Sequence, residues 1–527
     1  MNNFDWNFPY SSQRMPVLAE NVVCTSQPLA SQAGLQMLVK GGNAVDAAIA
    51  SAITLTVVEP VNNGIGSDAF AILNDGKKIV GLNASGRSPE GWTKEHFSKY
   101  KRMPIFGWDA TTVPGAVSGW VELWKKYGSL EFRELFQPAI KYAREGFLVS
   151  PLTAIAWKLV SRQYKKFKEW INTFTINGKI PKAGQLFKNP DQAITLELIA
   201  ETEGEAFYKG ELAEKIAEHA ENTGGLIALE DLKNHEIKWV NPLTMEYKGV
   251  TLHEIPPNGQ GIAALIALGI LKNLNLSIFK PETLPSLHLQ LEAMKLAFRD
   301  VKKYVGDPDS MDLIPETLLR EEYLEKRANL IDPNKAQNFK AGNPRKGDTV
   351  YLTAADENGM MVSYIQSNYW SFGSGIVIPN TGISMQNRGN GFTLKKGHPN
   401  EVGPSKRPYH TIIPAFVTKD GEPLMSFGVM GGHFQPQGHV QMMLRVFEYN
   451  QNPQAACDAP RWRVESGLKV KLEDKISKRI VNELRETGHD ASTSHYIDFG
   501  GAQIIYKLED GYLGASEPRK DGQALGF

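Results

Sequence analysis

The chain has 527 residues, 42% hydrophobic and 22% charged, in the range of globular proteins with a substantial core. Lys plus Arg equal Asp plus Glu at 58 each, so there is no basic excess of the kind that nucleic acid or an anionic membrane surface selects. The longest apolar stretch, Gly261 to Leu271, is too short to span a bilayer, and the polar start Met1 to Asn7 lacks the two regions of a signal peptide, so a soluble, cytoplasmic protein with no membrane partner is expected. Helix-forming residues from Gln27 to Lys40 end at Gly41-Gly42, a C-cap signal, and Asn43 can cap an alanine-rich helix from Ala44 to Val58. Ala69 to Leu73 and Lys78 to Leu82 flank Asn74-Asp75-Gly76 as a hairpin. From Pro114 the pattern predicts helices over Gly115 to Tyr127, Leu130 to Glu145, Pro151 to Trp170 and Leu284 to Tyr304, so the first two-thirds read as largely helical.

The last third changes character. Val350 to Ala355 with Met360 to Gln366, Thr411 to Val417 with Leu424 to Val429, and Ala502 to Leu508 with Tyr512 to Ala515 each flank a glycine-containing turn. Three such hairpins imply an antiparallel sheet, and one helix is expected from about Gln437 to Tyr449. Strands flanked by helices give a layered α/β sandwich. Between the two regions, Asp332 to Asp348 is polar, lacks helical periodicity and reads as a tail exposed after cleavage. Cys24 and Cys457, far apart in sequence, read as two unrelated buried thiols rather than a disulfide.

Gly347-Asp348-Thr349 is a turn-forming pair followed by a threonine that opens a strand. A threonine hydroxyl is too weakly acidic to be a nucleophile unless a base lies beside it. Cutting the Asp348–Thr349 bond exposes such a base, the residue's own α-amine. Its pKa is about 7.7–8.0 against about 10.4 for lysine, so roughly a tenth is neutral at pH 7. The expectation is a proenzyme that cleaves itself and then hydrolyses or transfers acyl groups.

Further motifs extend along the chain. Gly41-Gly42-Asn43-Ala44-Val45-Asp46-Ala47-Ala48 is followed by Glu59-Pro60, Gly64-Ile65-Gly66, Val113-Pro114-Gly115 and Phe372-Gly373-Ser374-Gly375. Near the end come Gly431-Gly432 and Ser516-Glu517-Pro518-Arg519-Lys520-Asp521-Gly522. In this order and spacing the chain resembles the γ-glutamyltransferase (glutathione hydrolase) family of N-terminal nucleophile hydrolases, including its cephalosporin-acylase-like branch. The resemblance implies a four-layer αββα sandwich with a large helical N-terminal portion. It also implies a large subunit, 1–348, and a small subunit, 349–527, cut from one precursor, with no cofactor and no metal.

On this resemblance Thr349 is the nucleophile, at the head of a Thr-x-x-x-x-x-x-Asp run ending at Asp356, and Gly431-Gly432 supplies the oxyanion hole. Glycine lets backbone N–H groups approach a developing negative charge. Thr353 matches a small hydroxyl residue of the family strand, or is simply a β-former. Arg87 is the expected grip on a substrate carboxylate, although the family arginine aligns two residues earlier, on Ser85. Ser367 corresponds to a family threonine near the nucleophile's amine, and Tyr369 replaces an asparagine. His410-Thr411 replaces a serine pair, with His410 as a buried histidine or a substrate contact and His433 a weaker possibility. The aspartate that would hold an α-ammonium is Gly391, a neighbouring glutamine is Arg388, and the stretch between Phe392 and Pro408 is too short for a lid.

Burying an ammonium without a paired anion is costly. Weak activity on glutathione is therefore expected, with a preferred acyl group that bears a carboxylate and no free α-amine, such as a glutaryl-type amide; the expected partners are small amides of γ-glutamyl or glutaryl type, with water or amines as acceptors. The resemblance implies an enzyme acting on γ-glutamyl-type acyl groups. Two alternatives stand beside it: a glutaryl-type, cephalosporin-acylase-like amidase with little transferase activity, and an uncut, degenerate relative that binds a small acid.

Overall fold

A computed structural model describes residues 14–339 and 348–527. Two seven-stranded sheets organise it. The first runs, in spatial order, Gln523–Gly526, Val22–Thr25, Asp348–Ala355, Met361–Tyr369, Asp68–Asn74, Ile79–Ala84 and Lys238–Val240. The second runs Val17–Ala19, Gly511–Ser516, Gly501–Leu508, Glu422–Met430, Ala415–Lys419, Val250–Glu254 and Leu243–Tyr247. Every pairing within both is antiparallel.

Alternation along the strands decides what each face buries. Phe70, Tyr351 and Ile365 of the first sheet share one apolar cluster with Phe416 and Ile505 of the second. The opposite side chains, Val350, Leu352 and Ala354, join a cluster with the helix Ala44–Val58. Val417, Phe427 and Val429 of the second sheet pack with the helices Ile262–Lys272 and Leu284–Tyr304.

The helix Ala44–Val58 is buried along its whole length, which explains its small residues. Asn43 Oδ1 accepts from the N–H groups of Val45 and Asp46, and Asp46 answers the Asn43 N–H, a reciprocal cap. Asp356 completes this end by accepting the Ala44 N–H at 2.8 Å. The Asp of the Thr-x-x-x-x-x-x-Asp run thus anchors a helix. Gly34 allows the neighbouring helix Pro28–Val39 to lie close, since a Cβ there would stand 2.4 Å from Ser51 Oγ.

The three C-terminal hairpins form as expected, and so does the one over Asp68–Ala84. Four sequence readings need correction. The first two-thirds also supply strands to both sheets, among them Val22–Thr25, Leu243–Tyr247 and Val250–Glu254. Pro151 to Trp170 is interrupted: one helix ends at Val160 and another spans Lys168–Phe174. Residues 411–414 precede the strand Ala415–Lys419 rather than belonging to it. Of the tail 332–348, residues 340–347 lie outside the described residues. Residues 332–339 are only partly exposed: Pro333, Asn334, Lys335 and Asn338 are exposed, Ala336 and Phe339 are buried, and His288 Nε2 donates to the Asp332 carbonyl at 2.8 Å. Both cysteines are buried and free. Among the described residues, no helix is long and apolar enough to cross a membrane.

Candidate active site

Thr349 is the second residue of Asp348–Ala355 and is 1% exposed. Asp348 pairs with Tyr369 and Val350 with Gln366, so the register slips at Thr349, which faces Ser367 and Asn368. Such a bulge re-aims a side chain. Thr349 Oγ1 lies 3.3 Å from Ser367 Oγ and 3.2 Å from Gln435 Nε2. Gln435 Oε1 accepts the Ile413 N–H at 2.9 Å, which turns the amide so that its NH₂ points at Thr349. With that donor on its oxygen, the threonine hydroxyl gives its own proton to Ser367. Ser367 Oγ also accepts the Tyr369 N–H at 2.7 Å.

Ser367 pairs across the sheet with Asp68, which extends the polar row. Asp68 Oδ2 accepts from His410 Nε2 at 3.0 Å, and Oδ1 from the N–H groups of Gly115 at 3.0 Å and Gly86 at 3.3 Å. Burial pushes the Asp68 carboxyl up to about 7, against the pull of nearby Arg388 and these N–H donors. Burial, with Arg388 nearby, pushes His410 far down, so its ring is neutral. Its Nδ1 faces the Ile412 N–H at 3.4 Å, which leaves Nε2 as the protonated nitrogen.

Arg388 opens a short turn and is 1% exposed. Nη1 donates to Thr411 Oγ1 at 2.7 Å, and the guanidinium carbon lies 4.8 Å from the Tyr369 ring centre, a cation–π contact. Its Nε and Nη2 are buried and have no protein partner. Burial lowers its pKa to about 10, so it remains a cation at neutral pH.

Gly431 and Gly432 follow the strand Glu422–Met430 with φ of 128° and 61°, backbone that side chains rarely tolerate. The turn leads into the helix Gln435–Met443, whose first residue is the Thr349 partner. Gln260 fixes this turn against the neighbouring arm: its Nε2 donates to the carbonyls of Gly432 and Thr411, and its Oε1 accepts from the Tyr409 hydroxyl.

The structure therefore brings Ser367, Tyr369, Arg388, His410 and Thr411 together around Thr349. It places Arg87 elsewhere. Arg87 Nη1 donates to the Ser405 carbonyl at 2.7 Å, and its guanidinium nitrogens lie 3.7 Å from carboxylate oxygens of Asp307 and Asp309. Two acids already hold that guanidinium. Thr353 lies further along the strand, 2.5 Å from Ser426 Oγ, where it joins the two sheets. His433 stacks on Tyr409. At Gly391 a Cβ would meet the Tyr409 carbonyl oxygen at 2.5 Å, so backbone fills the space an aspartate would need. Sequence reading missed Gln435, Gln260 and Asp68. Asp68 lies two residues past Gly64-Ile65-Gly66 and Gln435 three past Gly432, so proximity to the motifs is the signal that was available.

A cavity of about 1050 Å³ adjoins this constellation, with Tyr369, Gly391, Tyr409 and His433 in its wall. The polar row can position a hydroxyl and a neighbouring amine, and the cavity, which meets this constellation at Tyr369, is large enough for a small molecule.

Residues 30–527 match the family model described as gamma-glutamyltranspeptidase. The chain is 35% identical to the glutathione hydrolase-like YwrD proenzyme of Bacillus subtilis, covering 96% of this chain and 98% of that one. It is 34% identical to the oxamate amidohydrolase proenzyme of Klebsiella pneumoniae, covering 95% and 97%. The crystal structure of cephalosporin acylase from Bacillus halodurans superposes with a TM-score of 0.96 at 45% identity, over 100% of this chain and 99% of that one. The chain belongs to the gamma-glutamyltranspeptidase family and is an N-terminal nucleophile hydrolase or acyltransferase.

Proposed function

We propose that this proenzyme cuts its own Asp348–Thr349 bond and then hydrolyses small amides whose acyl group carries a carboxylate but no α-ammonium. The cut gives a large subunit, 1–348, and a small subunit, 349–527. The layer order we assign is α, β, β, α, with Thr349 on a strand of an inner sheet. In the first step the Thr349 hydroxyl attacks the Asp348 carbonyl carbon, the C–N bond breaks and water resolves the ester. In turnover the freed α-amine takes the hydroxyl proton as Oγ1 attacks the substrate carbonyl. The oxyanion faces the N–H groups of Gly431-Gly432, the amine product leaves with the proton, and water releases the acid.

The observation that carries the acyl-group reading is the buried Arg388 cation, with two nitrogens unengaged by protein and its face on Tyr369. A guanidinium suits a carboxylate and repels an ammonium. Asp68, a buried acid close enough to interact with Arg388, already accepts three N–H groups. By their names, one relative is an oxamate amidohydrolase and a solved neighbour a cephalosporin acylase. Oxamate is an amide with a carboxylate and no ammonium. The acylase reading is favoured further by the 0.96 TM-score of that neighbour.

Two measurements test the proposal. On a denaturing gel the wild type gives two fragments, the smaller beginning at Thr349, and Thr349→Ala stays whole. A full-length wild type after long incubation supports the uncut reading instead. Among matched anilides, the glutaryl compound has the higher kcat/KM. A clear preference for the γ-glutamyl compound refutes the acyl-group reading.

A further inference from the structure

Asp68 opens the strand Asp68–Asn74, is 0% exposed, and shares a sheet face with Ser367, its partner across the ladder. The run His410-Thr411 joins it to Arg388. His410 Nε2 donates to Asp68 Oδ2 at 3.0 Å, and Arg388 Nη1 donates to Thr411 Oγ1 at 2.7 Å. That run is held in place from several sides. The His410 N–H donates to the Asn258 carbonyl at 2.9 Å, its carbonyl accepts the Gln260 N–H at 3.0 Å, and its ring meets Phe70 edge-on at 4.7 Å. The buried carboxylate and the buried guanidinium therefore keep a fixed separation, close enough for each to act on the other's charge.

A substrate carboxylate on Arg388 adds a second anion to this region. Two carboxylates sharing one low-dielectric site do not readily stay ionised together, and one of them holds a proton into a higher pH range. The lone pairs show where that proton fits. Asp68 Oδ1 accepts from both the Gly86 and the Gly115 N–H, whereas Oδ2 accepts only from His410 Nε2 and keeps one lone pair. The other groups facing Asp68 are Arg407, which favours the anion and has Asp307 and Asp309 nearby, and Tyr208, whose hydroxyl donates to the Pro114 carbonyl. Burial already brings the Asp68 carboxyl up to about 7, so a small added repulsion is enough to protonate it at neutral pH.

We propose that Asp68 sets the pH range in which the site accepts a carboxylate: the substrate anion settles on Arg388 with uptake of one proton from solvent, held on Asp68 Oδ2. This deepens the reading of Arg388 given above and rests on it. Above that range both acids are ionised, they repel one another, and the acyl carboxylate binds more weakly. Asp68 is a positioning residue here, acting on the substrate through the charge it adds to or withholds from the field of Arg388.

The test titrates glutarate into the cut enzyme by calorimetry, in pairs of buffers that differ in ionisation enthalpy. Net proton uptake is expected at pH 7, with a Kd that rises roughly tenfold from pH 6 to pH 8. The Thr349 α-amine titrates nearby, at about 7.7–8.0, so two further readouts separate it from Asp68. Asp68→Asn should cut the pH 8 to pH 6 ratio of Kd at least about threefold and bind glutarate more tightly than wild type at pH 8. Infrared difference spectra of the wild type with carbon-13-labelled glutarate should gain the C=O band of an unlabelled protonated carboxyl, which an amine cannot give. That spectrum serves if Asp68→Asn does not fold. Uptake undiminished in Asp68→Asn, or no new carboxyl band, overturns the proposal. Glutarate binding unchanged in Arg388→Met sinks the Arg388 reading and this proposal together. Binding lost in Arg388→Met without proton uptake in the wild type sinks the Asp68 role alone.

Discussion

Gln435 Nε2 stands 3.2 Å from Thr349 Oγ1, and the Ile413 N–H fixes which end of the amide points there. The Thr349 hydroxyl is therefore held as an acceptor from Gln435 and a donor to Ser367, a geometry in which its oxygen gains partial charge with a donor already in place. Gln435→Ala removes one neutral hydrogen bond, worth about 0.5–1.5 kcal/mol, so self-cleavage should slow roughly 2- to 10-fold. Gln435→Glu keeps the bond to Ile413 but aims a carboxylate at Oγ1, and should slow it further. The half-time of fragment formation on a denaturing gel measures both, and a Gln435→Glu protein that cleaves at the wild-type rate sinks the idea.

Arg388 and Arg87 are both candidate carboxylate grips, and their surroundings separate them. Arg388 is buried with two unengaged nitrogens, whereas Arg87 is occupied by Asp307 and Asp309. A lost charge-assisted hydrogen bond costs about 1.5–3 kcal/mol, so Arg388→Met should lower kcat/KM for a glutaryl anilide roughly 10- to 150-fold. An acetyl anilide, which has no carboxylate to hold, should lose far less, and Arg388→Lys should recover part of the glutaryl rate. Arg87→Ala should change the glutaryl KM by less than about threefold. Equal losses on both anilides for Arg388→Met would reduce Arg388 to a folding role.

The contrast between these arginines shows what the sequence could carry. The hairpins are legible because local chemistry dictates them through turn residues and alternation, and local chemistry of the same kind marks Thr349 and the glycine pair as candidates. The tie of Arg87 to Asp307 and Asp309 is not legible in the sequence because it joins residues more than 200 positions apart in the chain. Gln435 and Asp68 were missed because a lone Gln or Asp has no periodicity to mark it. Their roles depend on the slip at Thr349 and on strand order, which pairing alone sets. The strands Leu243–Tyr247 and Val250–Glu254 alternate buried residues with exposed or half-buried ones, but their short runs lie among helices and do not stand out there.

Gly391 stands where an ammonium-binding aspartate is expected, and backbone occupies the space a side chain would use. Restoring the acid by Gly391→Asp should therefore not restore γ-glutamyl selectivity. The expected result is a lower thermal midpoint and a γ-glutamyl-to-glutaryl kcat/KM ratio within about threefold of wild type. A tenfold gain in that ratio would show that the missing carboxylate alone sets the preference.

Glu59, at the end of the buried alanine-rich helix, accepts from Ser26 Oγ and Asn62 Nδ2, each at 2.5 Å. Burial raises its pKa from 4.5 to about 7 despite these donors and nearby Lys520. Between those values the folded protein keeps a proton that the unfolded chain has released, so stability falls as pH rises from about 4.5 to 7. The full effect is bounded by a few kcal/mol, at about 1.36 kcal/mol per pH unit. Glu59→Gln should remove that slope, leaving its advantage over wild type larger at pH 7 than at pH 4.5. Thermal or urea unfolding at both pH values checks this, and parallel pH profiles for the two proteins would refute it.

His288, Glu292 and His489 lie close enough to suggest a metal site, yet hydrogen bonds from Lys295 and within the cluster already engage their lone pairs. Lys295 Nζ lies 2.6 Å from Glu292 Oε1, 3.2 Å from His489 Nδ1 and 3.3 Å from the Gln337 carbonyl, which uses all three of its N–H bonds. His489 Nδ1 thus accepts, so Nε2 carries the proton and donates to His288 Nδ1 at 2.9 Å. His288 Nε2 in turn donates to the Asp332 carbonyl, and Glu292 Oε2 accepts the Gln337 N–H. The chain of bonds ties Asp332 and Gln337 onto the helix Leu284–Tyr304. Burial and Lys295 push His489 down to about 2, in keeping with a neutral ring. Lys295→Met strands a buried carboxylate and should cost about 3–5 kcal/mol of stability. Adding Zn²⁺ to the wild type should not raise its thermal midpoint, because a metal would have to displace the ammonium first. A rise of several degrees with one equivalent of Zn²⁺ would make the cluster a metal site and reassign Lys295 to a gate over it.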